Sequence, residues 1–90
     1  MYAIKITPSA QHDLEKLKQH IRREEFERLL LVIESLSINP QPHSSLKLKG
    51  MDCAYRLRIG NYRVIYKIFN KTQTILIGRI VRRNESTYNF

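Results

Sequence analysis

Apolar residues recur at helical spacing in the first half of the chain and alternate with polar residues in the second half. This pattern predicts a short strand at about 2–6, a helix at about 8–19 and a second helix at about 21–37. Thr7 followed by Pro8 is typical of a helix start, because the hydroxyl can cap free N–H groups and proline fits the first helical position. The two helices are expected to form a hairpin that packs on a sheet.

The second half predicts three strands, at about 53–59, 62–69 and 73–81, with residues 46–50 leading into the first of them. Gly60-Asn61 is a favoured two-residue hairpin turn and therefore sets the register of the first two strands. The predicted pairs are Ile59 with Tyr62, Leu57 with Val64, Tyr55 with Tyr66, and Arg58 with Arg63. One face of this hairpin is apolar and should pack against the helices. Arg56, Arg58 and Arg63 should point away from them.

The predicted order is β-α-α-β-β-β in one domain of residues 1–90. It indicates an α+β fold in which a helical hairpin packs on one face of a mainly antiparallel sheet. No apolar run approaches the roughly 18 residues that a membrane span needs. The first residues lack the anatomy of a signal peptide, so the cytoplasm is the expected location.

Positive charge is concentrated in the second half of the chain. The net charge is +8, yet residues 1–44 contain six Lys or Arg and six acids. Residues 45–90 contain ten bases, with Asp52 and Glu85 as their only acids. This asymmetry is typical of a polyanion-binding face.

The facing pair Arg58 and Arg63 is destabilising by itself, because like charges lie directly opposite each other. A bound phosphate would relieve this repulsion and match the fork of donors on each guanidinium. When RNA is cleaved by attack of its own 2′-hydroxyl on the adjacent phosphate, the reaction needs such positive groups, together with a base and a proton donor. The three histidines fall on predicted helix or loop and are expected to be surface residues; they are His12, His20 and His43. No cluster with metal-ligand spacing occurs, and no cofactor is implied.

The stretch LKLKGMDCAYRLRIGNYRVIYKI, followed by the tail RRNESTY, resembles toxins of the RelE/ParE superfamily, and the RelE branch in particular. The resemblance covers nearly the whole chain. It implies a fold related to microbial ribonucleases and a type II toxin–antitoxin system whose toxin cleaves mRNA, without a metal, in the ribosomal decoding site. It also implies two partners, the ribosome and a RelB-like antitoxin that wraps the toxin in a hetero-oligomer.

The resemblance assigns eight site positions to this chain. The catalytic positions are Arg58, Arg63, Arg82 and Tyr88, and the RNA-binding positions are Lys47, Lys49, Arg56 and Arg83. In the family's terms Arg63 stabilises the phosphate, and Arg82 stabilises or protonates the leaving group, with Arg83 as its alternative. Tyr88 stacks on the base and helps to activate the 2′-hydroxyl, and nearby arginines would favour its phenolate form. Arginine does not readily lose its proton, so Arg56 and Arg58 are expected to act electrostatically.

Two other functions remain open from the sequence. One is a ParE-like toxin that inhibits DNA gyrase without cleaving RNA, and the other is a non-toxic RNA-binding module. Arg82 followed six residues later by Tyr88 favours the RNA-cleaving toxin. Replacing Arg63 by alanine distinguishes an RNA-cleaving toxin from a gyrase inhibitor, because it should abolish RNA cleavage and need not affect inhibition of gyrase.

Overall fold

The computed structural model describes residues 1–82 of the chain. It contains two helices and five strands within that range. They are β1 Ala3–Ile6, α1 Pro8–His20, α2 Arg23–Ser35, β2 Ser45–Lys47, β3 Ala54–Ile59, β4 Tyr62–Phe69 and β5 Thr74–Arg82. Neither helix in this range is long and apolar enough to cross a membrane.

The strands form one sheet in the order β1-β5-β4-β3-β2. β1 runs parallel to β5, and every other neighbouring pair is antiparallel. Apolar side chains of both helices share one buried cluster with one face of the sheet. The predicted α+β class, with a helical hairpin on one face of a mainly antiparallel sheet, is therefore confirmed.

Among the elements of residues 1–82, β2 is the one that the pattern did not predict. Residues 46–50 were expected only to lead into β3, whereas Ser45–Lys47 pair with it. A three-residue strand is too short to show an alternating pattern. Its pairing depends on the free edge of β3, which the local sequence does not reveal.

α1 begins where local capping predicts, whereas the bounds of α2 differ from the prediction. The Thr7 hydroxyl accepts the N–H of Ala10 at 3.1 Å, and Pro8 takes the first turn, as predicted. α2 is shorter than the predicted 21–37, because Ile21 is the C-cap of α1 and Leu36 is the C-cap of α2. Both fit the apolar stripe of a helix, but their side chains are buried or half-buried as flanking residues.

The register of the β3–β4 hairpin is confirmed at every predicted pair, including Arg58 opposite Arg63. Gly60 has a φ of +60°, the left-handed conformation that glycine adopts most readily at the first position of a tight turn. Val64 and Tyr66 lie fully buried against the helices. The apolar face of the hairpin therefore packs against the helices and supplies part of the sheet side of the core.

β5 lies between β1 and β4, as expected for a well-covered strand, but its alternation breaks at Gly78. Ile65 pairs with Arg79 and Tyr66 pairs with Ile77, so Gly78 is an extra residue on β5. Such a bulge moves the following side chains to the opposite faces. Ile80, rather than Arg79, consequently points into the core.

Asp13 of α1 covers the edge of β5 beyond the end of β1. Its Oδ2 accepts hydrogen bonds from Arg79 Nε at 2.8 Å and from the Ile80 N–H at 2.9 Å. These contacts join residues 66 and 67 positions apart. They connect α1 to the end of the sheet and satisfy an edge N–H that would otherwise lack a strand partner.

Burial raises the pKa of Tyr66 to about 12; the nearby Ser45 side chain opposes this rise, and Tyr55 adds to it. The Tyr66 hydroxyl donates to the Pro40 carbonyl at 2.7 Å. Above pH 10 the unfolded chain releases this proton before the folded chain does, so stability should fall between pH 10 and pH 12. We expect the free energy of unfolding to lose about 2 kcal/mol over this range. Urea titrations of wild type and Tyr66→Phe measure it, and parallel pH profiles of the two proteins would contradict it.

Candidate functional site

Three arginines form what we call the arginine face, consisting of Arg56, Arg58 and Arg63 on the side of the sheet opposite the helices. β3 supplies the first two and β4 supplies the third. Arg58 lies directly opposite Arg63, and Arg56 lies opposite Ile65. The face therefore has the orientation that the hairpin register predicted.

Apolar residues lie between these arginines in the sheet. Ile65 is 0% exposed and Val81, the partner of Arg63 on β5, is 3% exposed. The sequence interpretation did not include these two residues. Their alternation with arginine is visible in the sequence, but their burial on the face away from the helices is not.

Positive charge dominates the arginine face. The ion pairs found within residues 1–82 are Arg22–Glu25, Arg23–Glu27 and Arg79–Asp13, and neither Arg56 nor Arg58 takes part in them. Arg58 is exposed, and its Nε donates to the Gly60 carbonyl over a long 3.4 Å. Arg56 and Arg63 are half-buried. Guanidinium groups in this arrangement suit the oxygens of a phosphate.

The facing arginines lead to a prediction for stability. Arg58→Gln should raise the free energy of unfolding by about 0.2–1 kcal/mol, because it removes a like charge directly opposite Arg63. Arg56→Gln is the matched control, since Arg56 faces the neutral Ile65. Urea denaturation at low and high salt measures both variants. A gain that is equal for the two variants, or that persists in 1 M salt, would argue against repulsion as the cause.

Lys47 and Lys49 do not join the arginine face. Lys47 pairs with Tyr55, so its side chain shares the face that carries the core. Lys49 lies in the connection between β2 and β3, beside a shallow groove that runs from Lys47 to Asp52. The sequence order placed both lysines close to the arginine strands, but the register of β2 separates Lys47 from Arg56 by the thickness of the sheet.

Arg82 also lies away from the arginine face. It pairs with Tyr62, on the helix side, because the extra residue at Gly78 reverses the alternation of β5. There it lines a cleft of about 420 Å³ together with Lys16 and His20 of α1. Arg83 and Tyr88 lie outside the described residues.

The histidines are surface residues, as predicted. His12 and His20 are exposed on α1, and His43 is exposed in the loop before β2. His20 Nδ1 lies 2.8 Å from the Lys16 carbonyl oxygen and can donate a hydrogen bond to it. Within residues 1–82, no group of three or more His, Cys, Asp or Glu side chains could hold a metal ion.

Sequence and structure comparisons agree on one family. A family model described as the ParE toxin of the type II toxin–antitoxin system, parDE, matches residues 4–87. Toxin RelE3 of Methanocaldococcus jannaschii is 34% identical over an alignment of 82 residues, and the match covers 87% of this chain and 85% of that protein. The toxin RelE1 of the same organism is 39% identical over an alignment of 61 residues, and the match covers 64% of this chain and 68% of that protein.

A solved structure extends this likeness to three dimensions. The archaeal RelE–RelB complex from Pyrococcus horikoshii contains a chain with a TM-score of 0.78 and 28% identity. The match covers 94% of this chain and 98% of that chain. The protein therefore belongs to the RelE/ParE superfamily of toxins of type II toxin–antitoxin systems, and it is RelE-like.

Proposed function

We propose that this protein is an mRNA interferase of the RelE type, a ribosome-dependent endoribonuclease that cleaves mRNA in the decoding site and so inhibits translation. The observation that carries this proposal is the arginine face, where Arg58 stands opposite Arg63 with Arg56 on the same strand. Three guanidinium groups on two neighbouring strands present forks of donors that match the oxygens of an RNA phosphate.

The proposed reaction uses the RNA itself as nucleophile. The 2′-oxygen loses its proton and bonds to the adjacent phosphorus, while the bond from phosphorus to the 5′-oxygen breaks. The products are a 2′,3′-cyclic phosphate and a free 5′-hydroxyl. Negative charge grows on the phosphate oxygens, and Arg63 and Arg58 would stabilise it with donors that are already in position.

The proton transfers need groups beyond the arginine face. Within residues 1–82, the paired strand positions on this face carry no carboxylate and no imidazole. We assign activation of the 2′-hydroxyl to Tyr88. We assign electrostatic stabilisation of the leaving 5′-oxygen to Arg83, while water supplies the proton that this oxygen takes up. Arg83 is chosen because the pairing of Arg82 with Tyr62 directs Arg82 to the other side of the sheet.

Lys47, Lys49 and Arg56 are proposed as RNA contacts around this centre. The two lysines lie on β2 and in the loop that follows it, away from the facing pair Arg58 and Arg63. They therefore suit a second RNA segment, such as ribosomal RNA, rather than the reacting phosphate. Phosphate contacts of this kind give affinity and position without sequence preference.

A RelB-like antitoxin is the proposed partner that holds the toxin inactive in a hetero-oligomer. The support is that the structurally similar chain from Pyrococcus horikoshii belongs to a RelE–RelB complex. The net charge of +8 would speed association with an acidic segment of such a partner. The substrate and the ribosome would place the toxin's action in the cytoplasm.

Primer extension on a defined mRNA tests the proposal directly. Purified protein should cut within the decoding-site codon when the mRNA is held on stalled ribosomes, and should leave the same naked mRNA largely intact. A supercoiling assay with DNA gyrase runs in parallel. Uncut mRNA together with inhibited gyrase would overturn the proposal in favour of ParE-like activity.

A further inference from the structure

A cleft of about 450 Å³ opens on the helix side of the sheet, across the sheet from the arginine face. We call it the tyrosine cleft, because the rings of Tyr2 and Tyr55 form part of its wall. Its polar lining residues are Asn39, Gln41, Lys47 and Asn70. Its volume lies within the range of about 300–1,000 Å³ that is usual for small-ligand sites.

The two tyrosine rings are held in place before any ligand arrives. Gln41 Nε2 donates to the Tyr55 hydroxyl at 2.6 Å, and the Tyr2 hydroxyl donates to Asn70 Oδ1 at 2.7 Å. Tyr55 also stacks on the buried Tyr66, with ring centroids 5.9 Å apart and planes inclined by 25°. Fixed rings lose little conformational freedom when a flat group stacks on them.

The remaining lining groups match the other parts of a nucleotide. The side-chain amide of Asn39 offers donors and an acceptor to the edge of a base, and the amides of Gln41 and Asn70 add the donor and acceptor positions that their contacts with the tyrosines leave over. Lys47 is exposed and takes part in none of the ion pairs found within residues 1–82. No acidic side chain lines the cleft among the described residues.

We propose that the tyrosine cleft binds one unstacked RNA nucleotide, with its base against a tyrosine ring and its phosphate on Lys47. Single-stranded RNA is typically recognised by such stacking together with hydrogen bonds to base edges. In this site Lys47 binds the nucleotide's phosphate on the helix side of the sheet, away from the arginine face. This inference rests on the proposed function, because that function is the reason to expect RNA as the ligand. It adds to the arginine face a second contact with RNA, on the other side of the sheet.

Nucleotide titration of a variant with a neutral arginine face tests the cleft in isolation. The background is Arg56→Gln, Arg58→Gln and Arg63→Gln combined, and the probes are AMP, UMP and inorganic phosphate. Amide and side-chain NMR signals of Tyr55, Gln41 and Lys47 should shift in a saturable way with the nucleotides and less with phosphate. Shifts of equal size with phosphate alone would overturn the stacking part of the proposal.

Substitutions within the cleft sharpen this test. Lys47→Gln and Tyr55→Leu should each weaken nucleotide binding at least fivefold, because one removes the phosphate contact and the other the stacking surface. Tyr55→Phe keeps the ring and should bind within about threefold of the background. It tests the need for an aromatic ring even if Tyr55→Leu fails to fold. Lys18→Gln, an exposed lysine of α1 outside the cleft, is the charge-matched control and should bind unchanged.

Two outcomes separate this inference from the proposed function. Saturable nucleotide binding in the cleft, with no cleavage by wild type on ribosomes, would retain the cleft and refute the interferase. Cleavage by wild type with no signal change in the cleft up to 10 mM nucleotide, a concentration on the order of ten times a 1 mM Kd, would refute the cleft alone. Signal changes caused only by an antitoxin peptide would likewise overturn the RNA assignment.

Discussion

Arg63→Ala is expected to lower the rate of mRNA cleavage on ribosomes by about 100- to 1,000-fold, the usual loss when one positioned donor to a developing oxyanion is removed. Arg63 lies on the central strand of the sheet, directly opposite Arg58 and beside the buried Val81. Its position is therefore set by the backbone of three strands. Single-turnover primer extension, with saturating toxin on stalled ribosomes, measures the loss in the chemical step.

Two further variants control this measurement. Arg23→Ala removes an exposed arginine of α2, which is paired with Glu27, and should retain the wild-type rate. Arg63→Lys keeps the charge without the planar fork and should recover only part of the lost rate. A rate for Arg63→Ala within threefold of wild type, with the fold intact by circular dichroism, would remove Arg63 from the catalytic site.

Arg83→Ala is expected to lower cleavage by at least about 100-fold, whereas Arg82→Ala should cost less than about tenfold. The bulge at Gly78 is the reason for this difference. It pairs Arg82 with Tyr62 on the helix side, where Arg82 lines the cleft with Lys16 and His20 rather than the arginine face. The same single-turnover assay compares the two variants side by side.

The neighbouring arginines act as controls for each other, since the two substitutions make the same change in net charge. Ribosome binding, measured by co-sedimentation, separates loss of affinity from loss of chemistry. A larger rate loss for Arg82→Ala than for Arg83→Ala, at equal ribosome binding, would return the leaving-group role to Arg82. It would also show that the pairing with Tyr62 changes on the ribosome.

Local rules were enough to predict the elements that depend on neighbouring residues. Thr7 and Pro8 start α1 because a hydroxyl cap and a fixed φ act within one turn. Gly60 and Asn61 set the β3–β4 register because a two-residue turn leaves the strands only one alignment. The orientation of the arginine face follows from that register and from alternation alone.

The site beyond the hairpin depended on contacts between distant residues. Ile75 and Ile77 both point into the core, and unbroken alternation from them would put Arg82 on the arginine face. The extra residue at Gly78 reverses this, and a single glycine in a strand does not by itself tell which register it will break. The contacts of Asp13 with Arg79 and Ile80 join segments 66 and 67 residues apart and have no local signal.

The sequence by itself determined the helical hairpin, the strand order along the chain, the concentration of positive charge and the direction of three arginines, because each arises from spacing within a few residues. Only the tertiary structure decided the pairing of β2, the faces taken by Lys47 and Arg82, and the assembly of the tyrosine cleft from five separate segments. These features depend on which strand edges and loops meet after folding. Pairing energy and burial over the whole sheet select them, so local spacing could not reveal them.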